Sequence, residues 1–291
     1  METIINNDHK LTPEEKWEQA TLANNFIFYK VMRHHQDACK QLLEMLLGIK
    51  IESMEMKQEE TIALDYDSKG IRLDVFVKDA NRMFDVELQV ANTKELPERA
   101  RYYQGVMDVD TLKAGQKYKE LRDSHIIFIC LEDIFKNGLP VNTFENICLE
   151  DKKTKFGDRT YKHFFFAPLC AKMIKDEEIK AFFEFLISNQ ASSSYTDELK
   201  DYVADAKQST ENKMQFMTWE RQRAYDLDAG REEGREEGIA IGAQQKAVEA
   251  AVLLIKKYNV EPKTAAADLN APLEKVLEVM RQLETSGGST I

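Results

Sequence analysis

Two runs of alternating apolar and polar residues, separated by four turn-forming residues, constrain this chain more than any other feature. Ile71, Leu73, Val75 and Val77 alternate with Arg72, Asp74, Phe76 and Lys78. After Asp79-Ala80-Asn81-Arg82 the period of two resumes, with Phe84, Val86, Leu88 and Val90 on one face and Met83, Asp85, Glu87 and Gln89 on the other. Two such runs bracketing a short polar turn predict a β-hairpin. If residues 79–82 form the turn, Lys78 pairs with Met83, and every other pair follows: Asp74 stands opposite Glu87, and Arg72 opposite Gln89. Directly opposed Cβ atoms lie ~4.5–5.5 Å apart, so the two carboxylates repel unless a cation sits between them. Asp and Glu are also poor strand formers. A hard divalent cation held by oxygen ligands resolves the repulsion. Gln89, two residues beyond Glu87 on the same face, is placed to orient a water. The competing reading is that Asp74, Glu87 and Gln89 form the solvated face of an amphipathic hairpin.

Around the hairpin the pattern is mixed. Residues 13–48 read as helical, with Thr12 as N-cap, Pro13, Glu14 and Glu15 in the first turn and Gly48 as the stop. Residues 93–121 read as a helix interrupted near Gly115. The continuous apolar run at 125–131 predicts a strand buried on both faces, 162–168 another strand, and 176–188 a helix. A polar patch at 188–196 then precedes a tail, 197–285, of helix-forming residues. In it Gly230, Gly234, Gly238 and Gly242 recur every four residues, each costing about 1 kcal/mol in a helix relative to Ala. That ridge suits close approach to another helix, as in a dimer; a charged hinge is the alternative. Residues 263–283 predict a helix–turn–helix with Asn270-Ala271-Pro272 at the turn. The expected division is 1–190 for an α/β domain and 197–291 for a helical region serving assembly or regulation.

Charge and composition narrow the setting. The net charge of −11 opposes simple nucleic-acid coating, but a local strip between 152 and 175 carries Lys152, Lys153, Lys155, Arg159, Lys162, Lys172 and Lys175 against only Asp158. No run approaches the ~20 apolar residues of a membrane span, residues 1–10 lack the pattern of an export signal, and Cys39, Cys130, Cys148 and Cys170 are scattered. The expectation is a cytoplasmic protein with no membrane partner. His34-His35 has no third partner at ligand spacing, and His9, His125 and His163 are isolated. Ser192, Ser193 and Ser194 lack the context of a nucleophile elbow.

The segment Arg72-Leu73-Asp74-Val75 followed by Asp85-Val86-Glu87-Leu88-Gln89 resembles the core of PD-(D/E)XK nucleases in an E-x-Q form. The resemblance narrows to the Rpn family of recombination-promoting nucleases or putative transposases. That family is matched also by Asn25-Phe26-Ile27-Phe28, by Arg99, Arg101, Tyr102 and Tyr103, by Leu112-Lys113-Ala114-Gly115-Gln116-Lys117-Tyr118, and by Leu121 with the strand at 126–130. The likeness covers roughly residues 20–185. It implies an α/β fold with a restriction-endonuclease-like core, a central mixed sheet flanked by helices, and an all-helical C-terminal region. It implies Asp74 and Glu87 as metal ligands, the Leu88 carbonyl completing the shell, and Gln89 in the usual Lys position. Arg99 and Arg101 with Tyr102 and Tyr103 would contact DNA, although ion pairing of the arginines with Glu95 or Glu98 is an alternative. Mg²⁺, or else Mn²⁺ or Ca²⁺, is the implied cofactor and DNA the implied substrate, cut endonucleolytically in recombination, mobile DNA or defence. Two departures stand out: Asn25 where the family often has Asp, and Gln89, which is neither a base nor a cation. Asp65 and Asp67 precede the hairpin and are further possible ligands. A DNA- or protein-binding module without cleavage, and a transposase with strand-transfer activity, are the alternatives to a nuclease; the tail suits a homo-oligomer.

Overall fold

The computed structural model describes residues 11–56, 61–62, 71–72, 75–90 and 94–286. Asp65, Asp67, Leu73, Asp74 and His9 lie outside them. Contacts divide the chain into two compact units, Met1–Met217 and Thr218–Ile291.

The first unit opens with three helices where one continuous helical stretch is predicted: α1 (Pro13–Gln19), α2 (Asn25–His34) and α3 (Gln36–Leu47). Thr12 caps α1 in a reciprocal box with Glu15. Asn24 starts a new helix by accepting from the amides of Phe26 and Ile27, so the chain breaks just before the apolar face of α2. Gly48 closes α3 at φ 63°, a left-handed backbone that a side chain would strain.

The sheet has six strands: β1 (Glu55–Met56), β4 (Val75–Lys78), β5 (Arg82–Gln89), β6 (Asp123–Cys130), β7 (Val141–Phe144) and β8 (Thr160–Phe166), in spatial order β1-β4-β5-β6-β8-β7. β2 (Thr61–Ile62) and β3 (Ile71–Arg72) pair separately. The β4–β5 hairpin has the expected register, Lys78 opposite Met83 and Val75 opposite Val86, closed by the Asp79 amide donating to the Arg82 carbonyl at 2.9 Å. β5, β6 and β8 run parallel. β6 is apolar throughout its second half because it is central and both faces are covered.

Helix α4 (Leu96–Thr111) covers one face, with Leu96, Ala100 and Met107 packed among Phe76, Met83, Ile126 and Phe128. Each of the larger side chains here, Ala100 apart, contributes roughly 1.5–3 kcal/mol. Gln104 of α4 donates to the Ser124 carbonyl of β6 at 3.3 Å, fixing the helix along the strand. Helix α2 contacts β4 and β5. Beyond α4 the chain turns at Gly115 (φ 89°) into a 3₁₀ turn, Tyr118–Glu120. Helices α5 (Ala167–Met173) and α6 (Glu177–Ser188) follow β8, and α7 (Ser194–Gln208) packs on α2 and α6 with Tyr195 and Leu199 buried. The polar stretch between α6 and α7 is therefore a capped turn inside this unit, Asn189 ending one helix and Ser193 starting the next.

Helix α8 (Thr210–Tyr258) is 49 residues long. Its first turns belong to the first unit, where Phe216 lies 5.2 Å from the Trp17 ring and 5.5 Å from Phe26. In the second unit Val248, Ala251 and Val252 pack against Ala265 and Ala266 of α9 (Pro262–Asp268) and Val276 of α10 (Leu273–Ser286). This is the expected helix–turn–helix, with Asn270 at φ 52° in the turn. A Cβ added at Gly230, Gly234, Gly238 or Gly242 would meet nothing within 4 Å, so among the described residues the glycine ridge faces open space. By length and composition α8 holds an 18-residue window, of mean hydropathy 1.3, apolar enough to cross a membrane, where the sequence reading found only shorter runs.

Candidate active site

β5 delivers three polar side chains, Asp85, Glu87 and Gln89, to the face beneath α4. All three are buried: Asp85 is 0% exposed, Glu87 2% and Gln89 8%. The solvated-face reading is thus overturned for Glu87 and Gln89, while Asp74 lies outside the described residues. Strand alternation separates the two faces of the hairpin, but α4 covers the polar one, a placement that the period of two leaves undetermined. Asp85 is the acid that sequence reasoning left without a role; its signal was its position two residues before Glu87, ~7 Å along the same face.

A buried carboxylate in a sheet is costly unless a counter-charge accompanies it. Arg99, in the first turn of α4, supplies one. Its Nη2 donates to Glu87 Oε2 at 2.5 Å and its Nη1 to Gln89 Oε1 at 3.1 Å, so one planar guanidinium spans both residues. The guanidinium carbon lies 5.4 Å from the Phe128 ring, whose residue pairs with Glu87 across β5–β6, and 5.2 Å from the ring of Tyr103, one helical turn along. Cys130, the strand partner of Gln89, is buried beside them, and burial pushes its thiol up to about 12 despite the pull of Arg99.

The remaining site residues divide between inside and outside. Arg99 meets Glu87 and Gln89 with the Tyr103 ring against its guanidinium, whereas Arg101 and Tyr102 are exposed on the outward side of α4. Among the described residues Arg99 pairs with Glu87 and not with the neighbouring Glu95 or Glu98. The Leu88 side chain is buried on the opposite face. Backbone carbonyls alternate along a strand: Gln89 accepts from Leu131 on the β6 side and Arg82 from Asp79 on the β4 side. The Leu88 carbonyl, in phase with Arg82, is therefore directed toward β4. Among the described residues no group of three or more His, Cys, Asp or Glu is placed to hold a metal ion. The oxygen donors that are present, the Glu87 carboxylate, the Gln89 amide and the Leu88 carbonyl, suit a hard divalent cation in kind.

Two other expectations change. His125 and His163, isolated in sequence, come together on adjacent parallel strands on the face opposite Glu87, with His125 Nδ1 3.1 Å from His163 Nε2. Burial lowers both to about 4, keeping the pair neutral, and Thr143 bonds the other nitrogen of His163 at 3.1 Å. The basic strip is divided as well. Arg159 pairs with Asp123 at 3.2 Å and Lys155 with Glu145 at 2.8 Å, at the ends of β6 and β8 remote from Gln89, while Lys172 and Lys175 lie in or after α5, beyond the other end of β8.

A central mixed sheet whose parallel strands carry an E-x-Q pair beneath a flanking helix defines the PD-(D/E)XK nuclease class. Residues 24–228 match the family of PD-(D/E)XK nuclease family transposases, and the chain belongs to it. No curated protein and no solved structure gives a significant match.

Proposed function

We propose that the chain is a divalent-metal-dependent endonuclease that hydrolyses DNA phosphodiester bonds. The observation that carries this reading is the burial of Glu87 and Gln89 side by side on the central strand of a nuclease-family fold, bridged by a single cationic group. The hairpin register expected from the sequence, with which the described pairs from Val75–Val86 to Lys78–Met83 agree, would set Asp74, which lies outside the described residues, opposite Glu87. These two carboxylates with the Leu88 carbonyl are the proposed ligands of Mg²⁺, with Mn²⁺ and Ca²⁺ as alternatives. Bound there, the cation would lower the pKa of a water and offset charge on the phosphoryl oxygens.

The chain's own residues do the rest. Gln89 orients a water through its amide but neither takes nor gives a proton. Arg99 pairs with Glu87 in its buried position, and its planar fork suits two phosphate oxygens when Glu87 is otherwise engaged. Arg101 and Tyr102, exposed on α4, are proposed DNA contacts, with Tyr103 steadying Arg99. A homo-oligomer formed through α8 and a cytoplasmic location complete the proposal. The family's description as transposases favours a second reading, in which the same carboxylates join strands as well as cut them.

Supercoiled DNA incubated with wild type, Asp74→Ala or Glu87→Ala in Mg²⁺, Mn²⁺ or EDTA tests both. Nicking that needs metal and both carboxylates is expected, and joined products from a two-substrate mixture would mark the second reading. Wild type that leaves the DNA intact in every metal would refute cleavage and favour a binding module.

A further inference from the structure

The end of the sheet remote from Glu87 carries a surface that the proposed cleavage does not use. Two loops converge there. One is the segment after α4 that contains the 3₁₀ turn Tyr118–Glu120, leading into β6. The other is the loop joining β7 to β8, extended past the strands by an Ile147–Lys155 bridge. Arg159 staples them: its guanidinium donates to the carbonyls of Lys119 and Leu121 and pairs with Asp123, while its own carbonyl accepts from the Ser124 amide at 2.9 Å.

Each loop presents a large aromatic side chain to solvent, Tyr118 at 84% exposure and Phe156 at 77%. Leaving such rings in water stabilises nothing in the folded chain. The same loops carry Lys117, Lys119, Lys152 and Lys153, all exposed, and none has a carboxylate within ion-pair distance among the described residues. The acids of the same loops are engaged locally, Glu120 accepting from Gln116 Nε2 and the Lys117 amide and Glu150 from the Cys148 thiol. Asp151 accepts from the amides of Lys153 and Thr154 at 2.9 Å, Asp158 from Asn146 at 2.6 Å, and Glu145 pairs with Lys155. The outward chemistry is therefore exposed flat rings in loops whose lysine ammonium groups at 117, 119, 152 and 153 are outside ion pairs, in a chain of net charge −11.

We infer that this surface binds single-stranded nucleic acid, the rings stacking on unpaired bases and the lysines following the phosphates. A base paired within a duplex offers no free face to Tyr118 or Phe156, so the rings select unpaired strands. The identity of the polymer as DNA rests on the proposed function above; binding itself does not require cleavage.

The test uses the full chain in EDTA with a fluorescein-labelled oligo-dT and a duplex of equal length, read by anisotropy. Tyr118→Ala with Phe156→Ala removes two solvent-exposed rings and so spares the core. It should weaken oligo-dT binding at least tenfold, since each stacked base contributes about a factor of five or more, and change duplex binding less than twofold. Replacing the four lysines by Ala should weaken both and flatten the salt dependence by about 0.7 in slope for each lysine that had neutralised a phosphate. Oligo-dT affinity unchanged by the aromatic pair, or absent in wild type, overturns the inference, as does a change confined to self-association in sedimentation. Plasmid nicking assayed on the same proteins separates the two proposals. Intact single-strand binding without nicking refutes the nuclease alone, and nicking with unaltered oligo-dT binding refutes this surface alone.

Discussion

Replacing Arg99 by Met tests whether the guanidinium is what makes a buried Glu87 tolerable. Glu87 is 2% exposed and the Arg99 side chain 31%, so the substitution removes a counter-charge from a carboxylate that water scarcely reaches. Breaking such a pair costs about 3–5 kcal/mol; partial exposure of Arg99 places the expectation at the lower end, about 3 kcal/mol. With a urea slope of roughly 2–3 kcal/mol/M for a unit of this size, the midpoint should fall by about 1 M. Trp17, 2% exposed in the first unit, reports the transition by fluorescence in a Trp219→Phe background. Glu87→Gln combined with Arg99→Met removes both charges, so the double variant should lose at least about 1.5 kcal/mol less than the sum of the single changes. Mg²⁺ should stabilise Arg99→Met more than wild type, because a cation bound at Glu87 supplies the missing charge. A loss under about 1 kcal/mol, or strict additivity in the cycle, would refute the account of Arg99 as the group that compensates Glu87.

Three further outcomes are expected. His125 and His163, lowered from 6.5 to about 4 by burial, stay neutral when folded and take up protons when unfolded. Stability is full above pH 6.5 and falls as pH drops toward 4, by up to about 3 kcal/mol for His163; urea melts across that range should show this slope, reduced in a His125→Phe/His163→Phe chain. Gln89→Ala should lower nicking roughly 10–100-fold, as loss of a positioning group does, with kcat affected more than KM and the circular dichroism unchanged. Ala at Gly230, Gly234, Gly238 and Gly242 should raise helicity by up to about 1 kcal/mol per site, because a Cβ there meets nothing in the chain. If a second copy seats on that ridge, sedimentation of the same variant should show dissociation, and an unchanged oligomer would remove the ridge from the interface.

What the sequence determined by itself is what local periodicity and local hydrogen bonding encode. The period of two around Asp79-Ala80-Asn81-Arg82 set the hairpin, and the turn length set its register down to Lys78 opposite Met83. Thr12 with Glu15, Asp176 and Gly48 marked helix ends because caps are satisfied within a few residues, and the apolar run of β6 announced a strand covered on both faces. The motif at Glu87 and Gln89 likewise stood in the sequence, and with it the family.

Tertiary structure decided which polar residues see water and which distant ones meet. An alternating strand specifies two faces but not what covers them, so only the docking of α4 showed that Glu87 and Gln89 are buried and that Arg99 holds them. Residues 125 and 163 carry no local mark of partnership; β6 and β8 become neighbours through a parallel crossover, and the two rings meet because that register aligns them. The convergence of the Tyr118 and Phe156 loops has the same origin, since parallel strands bring the segments that precede them to one end of the sheet.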